Sequence, residues 1–305
     1  MLKGIDLFAG AGGNTIAGTN AGIEMVYAAN HWQMACDIHR SNHPSIEVAC
    51  QDLQQADWSR LPAHDIGLAS PCCQGHSKAR GKERAHHDTQ RNTAWAVVGC
   101  AEYHKEDVWL VENVVDFLDW PLFPSWLDAM RRLGYAMAPY IIDSADHGVP
   151  QHRERVYMVF TRSKHPIELT LPKRPHVPVS SVIEWESYNW SKIEKTGRSP
   201  KTLARVKSGR ERFGDRFVFP YYSSGSGKTG RSLDRPLGTV TTVDRWAIVQ
   251  GDMMRMFQPS EYRKVMNFPE NYLLPSTRRE AIKMLGNAVT PIVPEDLLNE
   301  IQRVA

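Results

Sequence analysis

From residue 1 to about residue 162, short apolar runs alternate with helical stretches, and this alternation narrows the fold more than any other feature. Residues 3–8 read as a strand, followed by a helix from about Asn14 that stops at Gly22. Residues 25–29 form a second strand and residues 33–42 a second helix, ended by His43-Pro44 because a residue preceding proline avoids the helical region. Residues 48–50 and 65–69 read as strands, 93–102 as a helix and 108–111 as a β-branched run. Residues 123–133 form a helix, with Gly134 placed to close its last turn in a left-handed conformation. Residues 140–143 and 155–161 complete the series. Strands separated by helices pair through crossovers rather than hairpins. The expected class is therefore α/β, a doubly wound, mostly parallel sheet with helices on both faces.

The pattern changes near Pro172. From there to about Pro275 the chain is rich in Pro, Gly, Ser and basic residues interleaved with aromatics. Residues 217–222 and 247–249 suggest short strands, and 223–230 a flexible turn. From residue 277 the chain becomes helical again. This predicts a large domain, 1–172 with 276–305, and a smaller, mainly β and loop domain, 173–275. Residues 163–235 hold 15 Lys+Arg against 7 Asp+Glu, whereas the rest of the chain has 22 against 27. The imbalance marks the smaller domain as the expected contact for a polyanion.

No window approaches ~20 consecutive apolar residues, so no membrane span is expected. The five cysteines, at 36, 50, 72, 73 and 100, favour reduced thiols and a cytoplasmic location. They include no pair of C-x-x-C spacings, and no metal is expected.

Several motifs fall where strands end. Asp6-Leu7-Phe8-Ala9-Gly10-Ala11-Gly12-Gly13 packs glycines between a strand and a helix, allowing a sharp turn and close approach of a ligand. Its spacing departs from the dinucleotide pattern and suits a nucleoside-type ligand better. Asn30-His31-Trp32 follows the second strand, where Trp32 either stacks on a purine or packs. Asp52 follows the third strand and either accepts a hydrogen bond from an adenine amino group or caps a turn. Ser70-Pro71-Cys72-Cys73-Gln74-Gly75-His76-Ser77 leaves the fourth strand, and Lys78, Arg80, Lys82 and Arg84 follow. Basic neighbours lower a thiol pKa, and either cysteine could be the reactive one. Val111-Glu112-Asn113-Val114 places an acid at the end of the adjacent strand. In Gln151-His152-Arg153-Glu154-Arg155, alternation puts Gln151, Arg153 and Arg155 on one face.

Taken in order and spacing, D-L-F-A-G-A-G-G, S-P-x-C-Q-G-x-S, E-N-V, Q-x-R-x-R and G-N-A-V-x-P resemble the DNA cytosine-5 methyltransferase family, from Gly4 to Pro291. Registering Gln74 and Ser77 on the family's Pro-Cys-Gln loop makes Cys73 the nucleophile and Cys72 the substitute for a proline. The resemblance implies that Phe8, Ala9, Gly10, Gly12, Gly13, His31, Trp32, Asp52, Leu53, Asn287 and Val289 surround S-adenosylmethionine, converted to S-adenosylhomocysteine. His31 stands where the family usually has an acidic ribose ligand. Glu112 would hold the target cytosine, with Arg153 and Arg155 supporting the site. The smaller domain would be the target-recognition domain, with residues 239–242 resembling an element of it, and residues 77–91 a loop that closes over the DNA. Double-stranded DNA is the implied partner of a monomer, and any cognate restriction endonuclease is not required for activity. A tRNA cytosine methyltransferase on the same fold is the runner-up. RNA enzymes of this kind draw their second cysteine from a different loop, whereas here the pair is adjacent. A DNA-binding protein without turnover is disfavoured by the presence of Cys73, Glu112 and Arg155.

Overall fold

The computed structural model describes residues 1–72, 92–221 and 230–304. Cys73, the basic loop 77–91 and most of the turn 223–230 lie outside the described residues. The chain runs β1 (Lys3–Leu7), α1 (Gly13–Asn20), β2 (Glu24–Asn30), α2 (Gln33–Asn42), β3 (Glu47–Cys50) and β4 (Ile66–Ala69). It continues with α3 (Trp95–His104), β5 (Val108–Asn113), α4 (Phe123–Arg132), β6 (Ala136–Asp143) and β7 (Glu154–Thr161). Next come β8 (Ser191–Lys192), α5 (Pro200–Phe213), β9 (Arg216–Pro220), β10 (Trp246–Gln250) and β11 (Met253–Met256). The chain ends with α6 (Pro259–Val265), α7 (Arg278–Asn287) and α8 (Ile292–Val304). It divides into two compact units. The first comprises Met1–Asp143, Glu154–Pro172 and Ala288–Ala305, and the second comprises Ser144–Arg153 and Lys173–Asn287.

In the first unit seven strands form one sheet in the order β3-β2-β1-β4-β5-β7-β6. The pairs β1–β2, β2–β3, β1–β4 and β4–β5 are parallel, as the strand–helix alternation predicts. β7 is inserted antiparallel between β5 and β6. Side chains alternate between the sheet's two faces, and both faces are covered. Ile5, Leu7, Ala29, Trp109, Val111, Met158 and Phe160 share one core with Val97, Ala101, Trp126 and Met130 of α3 and α4. Ala28, Leu68, Leu110 and Val159 share the other with Ala17 of α1 and Val293, Leu297, Leu298 and Ile301 of α8. Gly67 is paired with Trp109, whose indole covers it so closely that a Cβ at 67 would sit 2.5 Å from the ring.

The second unit holds a four-stranded antiparallel sheet, β8-β11-β10-β9. Its core joins Phe217, Phe219, Ala247, Val249 and Met254 to Val206 of α5. α5 lies where the sequence suggests loop. Its apolar positions are sparse among basic residues, so the helical period is weak until Gly209 seats the helix against Phe217. The C-terminal helical stretch is two helices, interrupted before Pro291. Among the described residues no helix is long and apolar enough to cross a membrane.

Candidate active site

The parallel strands of the first unit end in register. Leu7 pairs with Ala29 and Ala69, Ala69 with Val111, and Asn30 with Cys50. The segments leaving these strands therefore emerge together along one edge of the sheet, where open α/β folds bind ligands. They carry Phe8 to Gly13, His31 and Trp32, Asp52 and Leu53, the approach to Cys73, and Glu112 with Asn113.

The first of these segments is a tight turn in which Phe8, Gly10 and Gly12 all have positive φ, at 61°, 53° and 81°. Such a conformation costs a non-glycine residue such as Phe8 of order 1–3 kcal/mol and persists only where surrounding contacts impose it. Here Ala9 N–H donates to Ala29 O at 3.0 Å and Gly12 N–H to Ala9 O at 2.7 Å. Gly13 opens α1 against Val289, and a Cβ at 13 would lie 2.2 Å from the Val289 carbonyl oxygen. Thus Val289, predicted with the glycines from far along the sequence, is in contact with Gly13.

Beneath the turn lies Asp6, a fully buried residue that the sequence reading did not single out. Its carboxylate accepts from Thr15 N–H at 3.1 Å, Thr15 Oγ1 at 2.8 Å and Asn14 Nδ2 at 3.4 Å, tying β1 to the first turn of α1. Burial pushes its pKa up to about 7, against the opposing effect of the hydrogen bonds from Thr15 and Asn14. The available signal was an acid at a strand end followed by Asn-Thr at a helix start.

Trp32 is half-buried at the N-terminus of α2, and its N–H donates to Asn30 Oδ1 at 2.9 Å. His31 is exposed. Asp52 is exposed and caps the short turn Leu53–Gln55 by accepting Gln54 N–H at 3.0 Å, while Leu53 is buried in the core. The capping role of Asp52 is therefore present, and its carboxylate still faces solvent at the strand edge.

The segment before Cys73 is held from two sides. Cys72 N–H donates to Thr93 Oγ1 at 3.1 Å, and buried Asn113 donates from Nδ2 to Pro71 O at 3.2 Å. Asn113 also accepts Val114 N–H at 2.9 Å. One residue earlier on β5, Glu112 forms an ion pair with Arg155 of β7, Oε1 to Nε at 3.1 Å. The two side chains are only 10% and 13% exposed. Antiparallel insertion of β7 makes this possible by setting Glu112 opposite Tyr157 and Asn113 opposite Val156.

Arg153 and Asn287 lie in the second unit. Arg153 is buried, and its guanidinium donates to Val240 O and Gly286 O, both at 3.1 Å. Gln151 accepts Val240 N–H at 2.6 Å, and Thr239 Oγ1 donates to His152 O at 2.9 Å. Gly286 lies so close to Thr241 that a Cβ there would be 2.3 Å from its carbonyl carbon. The three predicted segments around Gln151, Thr239 and Gly286 thus interlock. Asn287 is the exposed last residue of α7.

A family model described as C-5 cytosine-specific DNA methylase matches residues 2–303. Type II methyltransferase M.HhaI of Haemophilus parahaemolyticus is 28% identical, over 100% of this chain and 93% of its own length. Type II methyltransferase M.NlaX of Neisseria lactamica is 25% identical, over 96% and 94%. Among solved structures, a Spodoptera frugiperda DNMT2 mutant superposes with a TM-score of 0.73 at 19% identity, covering 99% of this chain and 100% of that one. The Entamoeba histolytica methyltransferase EhMeth gives a TM-score of 0.71 at 17% identity, covering 100% and 99%.

Proposed function

The chain belongs to the C-5 cytosine-specific DNA methylase family and is a DNA cytosine-5 methyltransferase; on that premise we propose that it methylates a cytosine flipped out of a specific duplex sequence, through a covalent bond from Cys73 to carbon 6. The observation that carries this reading is the Glu112–Arg155 pair at 3.1 Å, beside the Asn113 side chain that holds the segment leading to Cys73. When bound, S-adenosylmethionine supplies an electrophilic methyl group. The residues present fit it: a glycine turn at a helix start, an indole at Trp32, and an exposed carboxylate at Asp52 able to accept a hydrogen bond from an amino group.

Carbon 5 of cytosine is a poor nucleophile. Addition of the Cys73 thiolate to carbon 6 makes the ring an enamine whose carbon 5 can attack a methyl donor. Glu112 shares a proton with ring nitrogen 3 and so draws the electron density of that addition. Arg155 orients Glu112 and stabilises the ring carbonyl as charge develops. Loss of the carbon 5 proton then expels Cys73. A stacked base cannot reach these groups, so the target is extruded at a cost of a few kcal/mol. Arg153 acts as a strut, holding the segments around Val240 and Gly286. The smaller unit is the target-recognition domain, and the exposed Lys201, Lys207, Arg212 and Arg216 on and beside α5 are suited to phosphate contact.

The test combines labelled S-adenosylmethionine with duplex DNA containing 5-fluorocytosine, which traps the adduct. A stable complex mapped by peptide mass to Cys73 is expected. Cys73→Ser should abolish transfer, and Cys72→Ser should largely retain it. An adduct on Cys72, or transfer to RNA in place of DNA, would overturn the reading.

A further inference from the structure

At the opposite end of β5 from Glu112, and unused by the reaction above, four chemistry-bearing side chains converge. One ligand atom each of His64, Cys100 and His104 lies within 4.8 Å of the others. Glu106 joins them: its Oε1 is 2.8 Å from His64 Nε2 and 3.2 Å from Cys100 Sγ. The side chains of His64 and Glu106 are fully buried. We propose that His64, Cys100, His104 and Glu106 form a tetrahedral site for a structural zinc-class ion, independent of the methyl-transfer centre.

The case rests on how the histidines are held. A metal-ligating histidine characteristically donates its other ring N–H to a carbonyl or carboxylate, which fixes the tautomer and aims the free nitrogen. His64 meets Pro62 O through Nδ1 at 2.8 Å, leaving Nε2 directed into the cluster. His104 meets Trp58 O through Nε2 at 2.8 Å, a contact that fixes the ring and leaves Nδ1 as its second nitrogen. The third anchor is on Glu106, whose Oε2 accepts Trp109 Nε1 at 2.9 Å and whose Oε1 remains within the cluster. Each of these three side chains thus has its outer partner in place.

The backbone supports the same reading. Cys100 and His104 are four residues apart on α3 and so share one helix face. Lys105, at φ 58°, ends the helix there and turns the chain so that Glu106 comes back beneath Cys100. Gly99 lets Trp58 approach closely, since a Cβ at 99 would be 2.8 Å from its Nε1. The donor set, two imidazoles, a thiolate and a carboxylate, is of the mixed N, S and O kind that zinc accepts.

Ligand atoms on tetrahedral zinc lie roughly 3.3–3.8 Å apart, so loading draws His64, Cys100 and His104 inward from spacings of up to 4.8 Å. Glu106 Oε1, at 2.8 Å from His64 Nε2 and 3.2 Å from Cys100 Sγ, moves outward by about 0.5 Å as the ion enters between them. The ion takes the place of the proton between His64 Nε2 and Glu106 Oε1, and of the Cys100 thiol proton; both leave to solvent. Because binding displaces these two protons, affinity rises with pH. A bound ion would clamp the segment 58–64 and α3 to the start of β5. C-x-x-C counting missed the site because its only cysteine pairs with a histidine one helical turn away.

The test incubates the whole protein with Zn²⁺ alone, removes unbound metal by gel filtration and measures zinc per chain. The wild type and Cys50→Ser should retain one ion, whereas His104→Gln and Cys100→Ser should lose it. His104 is half-buried at a helix end, so His104→Gln should keep the fold, checked by circular dichroism. Co²⁺ gives a second readout, because a thiolate ligand adds a near-ultraviolet charge-transfer band. That band should appear in the wild type and His104→Gln should weaken it at least tenfold. A wild type without stoichiometric zinc, or a Cys100→Ser protein that keeps both its zinc and the cobalt band, would overturn the proposal.

Discussion

Replacing Gly13 by alanine sets local propensity against tertiary packing, and the two disagree in sign. Gly13 is the first residue of α1, and alanine in a helix is favoured over glycine by about 1 kcal/mol. Without tertiary contacts the substitution would stabilise. In the fold the new methyl carbon would lie 2.2 Å from Val289 O, 3.0 Å from Val289 C and 3.3 Å from its Cβ. The oxygen is backbone, so no rotamer relieves the contact, and either α1 or the Ala288–Val289 segment must shift by about 1 Å. Overpacking of this kind costs typically 1–3 kcal/mol, and here a backbone clash places it at the upper end. The expected net effect in urea unfolding is a loss of about 1–2 kcal/mol. Because the same turn is proposed to receive S-adenosylmethionine, calorimetric affinity for it should fall at least tenfold, about 1.4 kcal/mol. Gly22→Ala is the control. It has φ 76° but nothing within 4 Å, so it should cost only the left-handed backbone penalty of about 1–2 kcal/mol and leave cofactor affinity unchanged. A Gly13→Ala protein as stable as the wild type, with unaltered affinity, would refute the close seat of α1 on Val289.

Asn113→Ala removes the buried donor to Pro71 O and the acceptor for Val114 N–H, for an expected loss of about 2 kcal/mol. Turnover should fall further than stability if that contact steadies the nucleophile's segment, and single-turnover rates on a duplex would show no change if it does not. Arg153→Met leaves Val240 O and Gly286 O without their donor and should cost about 3 kcal/mol in chemical denaturation; a near-neutral result would mean that the interlock does not depend on the guanidinium. Asp6 has a folded pKa of about 7 against an ordinary value of 3.8, because of burial. The native state therefore holds a proton that the unfolded chain releases in this window. The stability this provides is present below the unfolded pKa and is lost as pH rises through about 7, by up to about 4 kcal/mol. Asp6→Asn should flatten that slope, and equal slopes in denaturation series across the window would count against it.

Much of the site was legible because its motifs are local. A strand followed by glycines, an acid at a strand end and a thiol loop after a buried strand each declare their positions within a few residues. The register of β1 to β5 then brings those ends to one edge. Other features had no local signal. Asp6 looked like an ordinary strand residue until Thr15 and Asn14 closed on it. The basic α5 read as loop because its apolar face is thin without Phe217 beneath it. Gln151, Arg153 and Arg155 share a face in an extended chain, yet Arg155 joins β7 beside Glu112 while Arg153 turns to the carbonyls of Val240 and Gly286.

By itself, the sequence determined the α/β class, the glycine turn, the basic smaller unit and the order of motifs that marks the family. These follow from hydrophobic period, backbone permissiveness and charge, which neighbouring residues carry together. Only the tertiary structure decided that β7 enters antiparallel and completes the Glu112–Arg155 pair, that Val289 closes on Gly13, and that His64 meets Cys100 and His104. Those pairings join residues far apart along the chain, and nothing in either partner's neighbourhood specifies the other. Packing of the sheet against its helices is what brings them within bonding distance.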